Sequence, residues 1–573
     1  MKLNIRYRAL AAAMAAAGLA AGCGGGGDPA PATGTAAADA EDAALKFDAA
    51  AYTTVNVTVD GVATKVRQYK VVYVAKPVKA ALTQTSLNGS ATTLTDPYAY
   101  QTMLISVPEA SAADQKNALY VAVNNSGWYA SAAATTITEG KAFVSTSDTD
   151  NIGAALKAGY IVVNVGTRSR GFRAEDGSWA GKAPAPVVDT KAAIRYLRLN
   201  DAAMPGSAER IVLTGTSGGG GLTAAVAASG NSADHLAFLA DIGAAGITGS
   251  GSSAASTIKD DVFAAVAYCP INNLGNADAG YEWEYGAIRN DVNTGALGGV
   301  AYSAGPQPNA SAAIAAQFPT YLNGLGLSLE SGAALTDATM RDATKALLVQ
   351  EIERQIAAGT AVPQLGGSFT VGTQTYANDW LTLTGTGSGA KVASIDYEKF
   401  LRFVTTIRAL KTVVAFDAVG VTGNVNTATG LPNISGETNL FGSDAFQYTN
   451  FTAWSWANNA VRGDGSGVDD TGLSWPAYLA SSSSTLATQL KLINPVAYLN
   501  TAAADTAPYW YVRHGMIDRD TAFAMQTLLY YAIKKDPTVK EVSFKLPYLV
   551  PHSGNYDVQE AFGWIKAKLD ANP

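Results

Sequence analysis

One serine has the neighbours that a strained nucleophile requires. Residues 211–221 read Ile-Val-Leu-Thr-Gly-Thr-Ser-Gly-Gly-Gly-Gly, so an apolar β-type run turns through glycines into a small-residue segment that is compatible with a helix. Ser217 has glycine two residues away on each side, the Gly-x-Ser-x-Gly pattern in which a serine lies at a sharp strand-to-helix turn. Gly215 and Gly219 allow the neighbouring backbone to approach a side chain held at unfavourable φ and ψ. With 57 glycines in the chain a chance match is the alternative, but the strand-to-helix context favours a nucleophilic serine.

A serine hydroxyl needs a base to remove its proton, and an imidazole suits that role at neutral pH. The sequence contains three histidines. His235 follows the serine too closely to fold back over it, and at the end of an apolar strand-like run His514 is better interpreted as a hydrogen-bonded structural residue. His552 lies in Val-Pro-His-Ser-Gly, a loop between the last strand-like and the last helix-like segment. The sequence therefore favours His552 as the base, with His514 as the alternative.

The loop Met-Ile-Asp-Arg-Asp offers two carboxylates to orient the histidine. It follows a strand-like run, and the order serine, acid, histidine is that of the α/β-hydrolases. Asp518 comes first and is the predicted partner of the histidine, whereas Asp520 is left between a substrate role and capping the next helix. The oxyanion of an acyl-transfer reaction needs two backbone N–H donors. We predict these at Gly218, directly after the serine, and in the turn at Gly127 and Trp128.

The remaining pattern predicts an α/β fold that places these residues at one edge of a sheet. Short apolar runs alternate with helical segments, which is typical of a mostly parallel sheet with helices on both faces. Between the strand-like runs 262–268 and 509–512 this alternation stops, and so long a connection must have its own structure. We therefore expect a core of residues 49–269 and 508–573. Residues 270–507 would form an inserted cap over the carboxyl ends of the strands, where ligands bind in such sheets.

Composition restricts the possible partners. The net charge is -7 and acids and bases are interspersed, so the chain has no basic surface of the kind that binds nucleic acid. The histidines do not cluster in the sequence with either cysteine, Cys23 or Cys269, so neither a metal nor another cofactor is expected.

The first residues predict an exported, lipid-anchored protein. A charged start precedes an apolar run that is too short to span a bilayer, and Leu-Ala-Ala-Gly-Cys closes it, which predicts a lipoprotein signal peptide over residues 1–22. Cys23 would become the acylated N-terminus and the membrane contact, with residues 23–48 as a flexible tether. A cleaved secretory signal with an ordinary cysteine is the alternative. We expect the cell envelope as the location, at the periplasmic or surface face of the outer membrane.

Five motifs in the same order resemble the bacterial tannase family. They are the Gly-Thr-Ser-Gly turn, the run Gly-Lys-Ala-Pro-Ala-Pro-Val-Val-Asp-Thr-Lys (181–191), Tyr-Cys-Pro-Ile-Asn-Asn-Leu (268–274), Arg-His-Gly-Met-Ile-Asp-Arg-Asp-Thr (513–521) and Pro-His-Ser-Gly-Asn-Tyr-Asp (551–557). The resemblance extends over residues 107–567. It implies an α/β-hydrolase that cleaves gallate esters, small aromatic substrates, with the triad Ser217, Asp518 and His552.

The resemblance also implies how the galloyl ring is held. In that family a lysine and a glutamate of the cap and the second aspartate of the acid loop bind the ring hydroxyls, and Lys411, Glu437 and Asp520 match them. Such a buried polar set rejects rings that lack the hydroxyls. The link 420–436 is longer than in the family, and from the residues alone Lys411 is a solvated lysine at a helix end. The alternatives are a feruloyl-type or general carboxylesterase and a surface lipoprotein that binds phenolics without turnover.

Overall fold

The computed structural model describes residues 40–85, 91–289, 307–411, 413–418, 436–458, 466–469 and 471–573. The predicted signal peptide, Cys23, most of the predicted tether and all but the last residue of the link 420–436 lie outside the described residues. Among the helices of the described ranges, none is both long and apolar enough to cross a bilayer.

Ten strands form one mixed sheet at the centre of the molecule. Its order is β18-β17-β12-β9-β6-β8-β5-β2-β1-β7, and the six strands from β18 to β8 run parallel to one another. The strands β8, β5, β2 and β1 pair antiparallel in turn. The strands of this sheet are β1 (Thr53–Val59), β2 (Val62–Val72), β5 (Thr102–Pro108), β6 (Ala118–Val123), β7 (Ala142–Phe143), β8 (Ile161–Val165), β9 (Ser207–Thr216), β12 (Ala264–Tyr268), β17 (Tyr509–Arg513) and β18 (Glu541–Lys545). Two short pairs lie outside it, β3 (Thr83–Thr85) with β4 (Ala91–Thr93) and β10 (Ile247–Thr248) with β11 (Ala255–Ser256).

Helices cover both faces of the sheet, as the sequence predicts. Successive side chains of a strand point to opposite faces, and in β6 Leu119 and Val121 join one buried apolar cluster while Tyr120 joins another. The first cluster includes α2, α3 and α13, and the second includes α1 and α14. The helices are α1 (Asn151–Lys157), α2 (Ala185–Leu199), α3 (Gly218–Ala228), α4 (Leu236–Asp241), α5 (Leu274–Tyr285), α6 (Gln307–Ala315), α7 (Phe318–Gly324), α8 (Asp337–Ala357), α9 (Tyr397–Ile407), α10 (Ala453–Asn458), α11 (Trp475–Ala480), α12 (Leu486–Leu492), α13 (Phe523–Lys535) and α14 (Val558–Asp570).

A long insertion separates two strands that are neighbours in the sheet. β12 pairs with β17, although some 240 residues of sequence lie between them, and none of the described residues in between adds a strand to the ten-stranded sheet. The insertion is helical in large part, but it also contains two antiparallel pairs, β13 (Ser368–Val371) with β14 (Gln374–Ala377) and β15 (Leu381–Thr384) with β16 (Lys391–Ile395). The predictions above place no strand in this part of the chain, because the regular alternation of apolar runs and helices stops there. The boundaries proposed for core and cap remain predictions.

Candidate active site

The predicted nucleophile lies at a strained turn between β9 and α3. Ser217 has φ 62° and ψ −122°, a backbone conformation that residues with a side chain rarely adopt. Its N–H donates to Tyr268 O at 2.9 Å and its carbonyl accepts from Ile271 N–H at 3.0 Å, so the loop after β12 fixes the turn on both sides. A Cβ added to Gly215 would lie 2.3 Å from Gly219 O, which explains why glycine is required on the strand side.

The three residues predicted as a triad are joined by hydrogen bonds. The Nε2 atom of His552 lies 2.8 Å from Ser217 Oγ, and its Nδ1 atom lies 2.7 Å from Asp518 Oδ2. Asp518 is completely buried, and its second oxygen accepts from the Asp520 N–H at 2.8 Å. The geometry is that of a serine, a base and an acid that orients the base.

Backbone contacts hold the acid loop against the histidine loop. The Ile517 N–H donates to Val550 O at 3.1 Å, and a Cβ on Gly515 would lie 2.1 Å from the same oxygen. Beyond the histidine, Asp557 accepts from the hydroxyls of Tyr268 and Tyr511 at 2.7 and 2.6 Å. The histidine loop is therefore held by the acid loop at one end and by β12 and β17 of the sheet at the other.

Two groups decide the charge of the histidine. Burial favours neutral His552, but the contacts with Asp518 and Cys269 together outweigh it, so the pKa of His552 is raised above its ordinary value. The pKa of Asp518 is lowered, because the imidazoles of His514 and His552 outweigh the effect of burial on the carboxyl. The pair thus favours imidazolium beside carboxylate, which is the state that forms when the base accepts the serine proton.

A buried thiol lies beside this pair, and the expectation that cysteines and histidines do not cluster is wrong for it. Cys269 Sγ lies 3.9 Å from His552 Nε2 and donates to Ser553 O at 3.3 Å. Cys269, Asp518 and His552 together form a group that could hold a metal ion. Burial raises the pKa of Cys269, so the thiol is neutral near pH 7. The sequence offers no signal for this contact, since Cys269 and His552 are far apart in the chain.

The other two histidines lie where the sequence places them, with one difference. His235 is buried, and its Nε2 atom lies 3.3 Å from Leu492 O rather than near the serine. His514 is completely buried against the ring of Phe523, but its ring nitrogens have no hydrogen-bond partner among the described residues. Its Nδ1 lies 3.3 Å from Asp518 Oδ2, outside hydrogen-bond geometry. The interpretation of His514 as a hydrogen-bonded structural residue is therefore wrong in this respect.

The two predicted oxyanion donors lie on segments that touch each other. Gly218 is the first residue of α3, and a Cβ on it would lie 2.2 Å from Trp128 N and 2.4 Å from Asn125 O. Gly127 has φ 57° and ψ 29° in the facing turn. Within the described part of the chain, neither Gly218 N–H nor Gly127 N–H has an acceptor, whereas Trp128 N–H donates to Asn125 O at 2.9 Å. Two free donors next to the serine can bind an oxyanion.

Lys411 lies in a buried loop, not at a solvated helix end. Helix α9 ends at Ile407, four residues before it. The Lys411 N–H donates to the Tyr281 hydroxyl at 3.2 Å, and its ammonium lies 4.3 Å from the centre of the Phe416 ring. Burial lowers the pKa of Lys411, and the negative charges of Asp520 and then Glu437 oppose that effect. These charges therefore lie close enough to the ammonium to stabilise it.

Glu437 is buried opposite an arginine of the core. It begins a short 3-10 helix, and its N–H donates to Phe416 O at 2.8 Å. Its Oε1 atom lies 3.4 Å from Arg170 Nη1, and both side chains are almost fully buried. Burial raises the pKa of Glu437, while Arg170 and Lys411 pull it down. Glu437 thus shares its surroundings with Lys411, as the resemblance implies.

Asp520 does not cap the following helix. The N-cap of α13 is Ala522, which makes no side-chain capping bond. Instead, Asp520 Oδ2 accepts from Arg408 Nη1 at 2.8 Å, and Oδ1 contacts Arg519. The carboxylate also lies 3.8 Å from His552 Nδ1, so it is next to the triad.

Helix α5 holds the loop that contains Lys411, a contact between distant segments for which the sequence has no local signal. The buried carboxylate of Asp278 accepts the N–H groups of Ala415, Phe416 and Asp417 at 2.7 to 2.9 Å. One turn later Glu282 pairs with Arg289, whose Nη1 donates to Lys411 O at 2.6 Å. Residues 277–283, Ala-Asp-Ala-Gly-Tyr-Glu-Trp, thus support the cap loop.

Known proteins resemble the chain over most of its length. The BD-FAE family model matches residues 107–283. No curated protein matches. Among solved structures, the tannin acyl hydrolase of Lactobacillus plantarum is 28% identical with a TM-score of 0.65, and the match covers 92% of this chain and 99% of that one. The tannase of Fusobacterium nucleatum is 26% identical with a TM-score of 0.66, again over 92% and 99%. A tannin acyl hydrolase in complex with ethyl gallate is 28% identical with a TM-score of 0.64, over 91% and 98%.

The mixed ten-stranded sheet with helices on both faces, the strand-to-helix turn at Ser217 and these likenesses agree with one another. The chain has the α/β-hydrolase fold, fits a tannase-like family and is a carboxylic ester hydrolase.

Proposed function

We propose that this protein is a serine esterase that hydrolyses galloyl esters through an acyl-enzyme. The observation that carries the proposal is the continuous hydrogen-bonded chain from Ser217 Oγ through His552 to Asp518, at a strained turn next to two free N–H donors. A buried serine in contact with a histidine has no structural need for such a turn, whereas a nucleophile does.

In the proposed reaction Ser217 Oγ attacks the ester carbonyl while His552 Nε2 takes its proton. The oxyanion accepts hydrogen bonds from Gly218 and Gly127, and Asp518 stabilises the imidazolium. The imidazolium then gives its proton to the leaving alcohol, which leaves the acyl group on the serine. Water, deprotonated by the same imidazole, releases the carboxylic acid and restores the serine.

Selection of the acyl group is proposed to depend on Lys411, Glu437 and Asp520. Two carboxylates can accept from phenolic O–H groups and an ammonium can donate to them; Glu437 and Asp520 are buried, and Lys411 is partly buried. A ring without hydroxyls would leave these groups unpaired, which is costly in a buried site. Support also comes from relatives solved with 3,4-dihydroxybenzoate and with ethyl gallate.

The proposed mechanism is tested by replacing the serine. Ser217→Ala is expected to lower kcat for methyl gallate by about 10⁴-fold or more, since it removes the nucleophile. Ser553→Ala is the matched control, because this hydroxyl contacts only Pro551 O, at 3.3 Å, and has no place in the proposed chemistry. A parent protein that binds gallate esters without turnover would instead support the phenolic-binding alternative.

The proposed acyl preference is tested by comparing esters. Methyl gallate should be hydrolysed much faster than methyl ferulate or methyl benzoate, and Glu437→Gln should reduce that preference while leaving methyl benzoate hydrolysis near the parent rate. Equal rates on all three esters would favour the feruloyl-type or general carboxylesterase instead.

We also propose that the protein is anchored in the cell envelope through an acylated Cys23, as the sequence predicts. Incorporation of labelled fatty acid into the parent but not into Cys23→Ser would support the anchor. Release of both forms as unlabelled protein after signal cleavage would contradict it.

A further inference from the structure

Arg170 connects the two halves of the proposed site, although neither the sequence motifs nor the triad assigns it a role. It lies in the loop after β8, and only 2% of its surface is exposed. Its Nη1 atom donates to Gly127 O at 2.9 Å and lies 3.4 Å from Glu437 Oε1. One guanidinium nitrogen thus bridges the turn with the predicted oxyanion donor and the carboxylate proposed to bind ring hydroxyls.

The surroundings of Arg170 keep the guanidinium in place. Its Cζ atom lies 4.4 Å from the centre of the Tyr129 ring, a cation–π contact within the same turn. Its backbone N–H donates to Trp128 O at 3.2 Å, and its carbonyl accepts from Ala130 N–H at 2.9 Å. The loop that contains Arg170 is therefore joined to the oxyanion turn through backbone as well as side chain.

The bridge is incomplete in the structure. The buried Nε of Arg170 has no hydrogen-bond partner among the described residues, and 3.4 Å is long for a hydrogen bond to a carboxylate. A purely structural buried arginine would be expected to have its donors satisfied. Arg168, two residues earlier, is such a case, since its guanidinium binds both oxygens of Asp189.

We propose that Arg170 is a positioning and specificity-determining residue that couples binding of a hydroxylated ring at Glu437 to placement of the oxyanion donor at Gly127. Its charge opposes the effect of burial on the pKa of Glu437 and so favours the ionised form, which accepts phenolic O–H groups. Its bond to the Gly127 carbonyl fixes the turn that stabilises the transition state. The inference rests on the proposed function, because it needs a ring with hydroxyls at Glu437.

The test compares Arg170→Met with Arg170→Lys on methyl gallate and methyl benzoate. Arg170→Met removes both contacts, so kcat/KM should fall about 100-fold for methyl gallate, but only about tenfold for methyl benzoate, which loses the oxyanion effect alone. Arg170→Lys returns a charge without the planar pair of donors. It should bring KM for methyl gallate back towards the parent value while kcat stays low.

The pH dependence of KM gives a second measurement that a structural role would not change. The charged groups that face Glu437 are Arg170 and Lys411, with the rings of Tyr129 and Tyr448 beside Arg170. Burial already raises the pKa of Glu437, and loss of Arg170 raises it further. KM for methyl gallate in Arg170→Met should therefore begin to rise at a higher pH than in the parent as the pH is lowered.

Arg168→Met is the matched control, because it breaks a buried arginine pair of the same loop that touches neither Glu437 nor Gly127. It should leave the ratio of the two esters unchanged, and thermal unfolding of every variant separates lost stability from lost chemistry. Equal losses on both esters with an unshifted KM profile, or no loss in Arg170→Met, would overturn the inference. If the parent protein hydrolyses methyl gallate and methyl benzoate equally well, the proposed acyl specificity is refuted. That comparison is made on the parent alone, so it separates failure of the proposed function from failure of the inference about Arg170.

Discussion

Replacement of Asp518 by asparagine should abolish most of the esterase activity, because a backbone hydrogen bond determines which way the new amide points. The Asp520 N–H donates to Asp518 Oδ1 at 2.8 Å, so in Asp518→Asn the amide oxygen must take that position. The amide NH₂ then faces His552 Nδ1, whereas in the parent the Nδ1–H of His552 donates to Asp518 Oδ2 at 2.7 Å. Nδ1 of the imidazole then has to accept a hydrogen bond, so the ring proton moves to Nε2. A protonated Nε2 cannot receive the proton of Ser217.

The loss of kcat in Asp518→Asn is expected to come from the wrong tautomer of His552, not from a change in the structure of the site. An aspartate-to-asparagine change of this kind in a serine protease triad lowers kcat by about 10⁴-fold. That factor corresponds to about 5.4 kcal/mol of transition-state stabilisation. Asparagine fits the buried site, so the free energy of unfolding should change much less than the activation barrier.

The assay is the kcat for methyl benzoate near pH 8, since this ester is indifferent to the proposed ring-binding residues. Asp520→Asn is the control in the same loop, and its kcat for methyl benzoate should stay within about tenfold of the parent because Asp520 makes no bond to the imidazole. The reasoning is refuted if Asp518→Asn keeps a tenth or more of the parent kcat, or if both variants lose activity equally.

Three further predictions concern the surroundings of the triad. The raised pKa of His552 means that kcat/KM for methyl benzoate should fall as the pH drops through a value above the ordinary histidine pKa of roughly 6.5. The contact with Cys269 adds to that rise, so Cys269→Ala should move this pH limb to a lower value, and a limb that stays in place would show that Asp518 alone raises the pKa of His552. Gly218→Ala places a Cβ against the backbone of Trp128, so kcat should fall by about 10² to 10³-fold with KM little changed, and an unaltered kcat would exclude the oxyanion assignment. Asp278→Ala leaves the N–H groups of Ala415, Phe416 and Asp417 without their acceptor. Chemical denaturation should show a loss on the order of 3 kcal/mol or more in unfolding free energy, and steady-state kinetics should show a higher KM for methyl gallate. An unchanged KM would show that α5 does not position Lys411 and Glu437.

The parts of the site that local sequence determines are those that the sequence predicts best. The turn at Ser217 requires glycine on the strand side, and the histidine loop requires a strand before it and a helix after it, so both leave a pattern of a few neighbouring residues. The alternation of apolar runs and helices likewise predicts a mostly parallel sheet with helices on both faces. By contrast, Cys269 beside His552 and Arg170 beside Glu437 are contacts between distant segments, and no periodicity or spacing reports them.

The difference between local turns and contacts of distant segments also indicates where acyl selectivity can change without loss of ester hydrolysis. The triad and the oxyanion donors lie on turns at the ends of sheet strands, which neighbouring backbone fixes on several sides. Lys411 and Glu437 depend instead on a loop inserted between β12 and β17, which Asp278 and Arg289 hold from α5. Two residues join these parts. Arg170 contacts both Gly127 O and Glu437, and Asp520 follows Asp518 by two residues and binds Arg408 of the insertion. Substitutions in the insertion should therefore alter which ester is preferred, whereas substitutions at Asp520 should affect the preference and the join between insertion and core together.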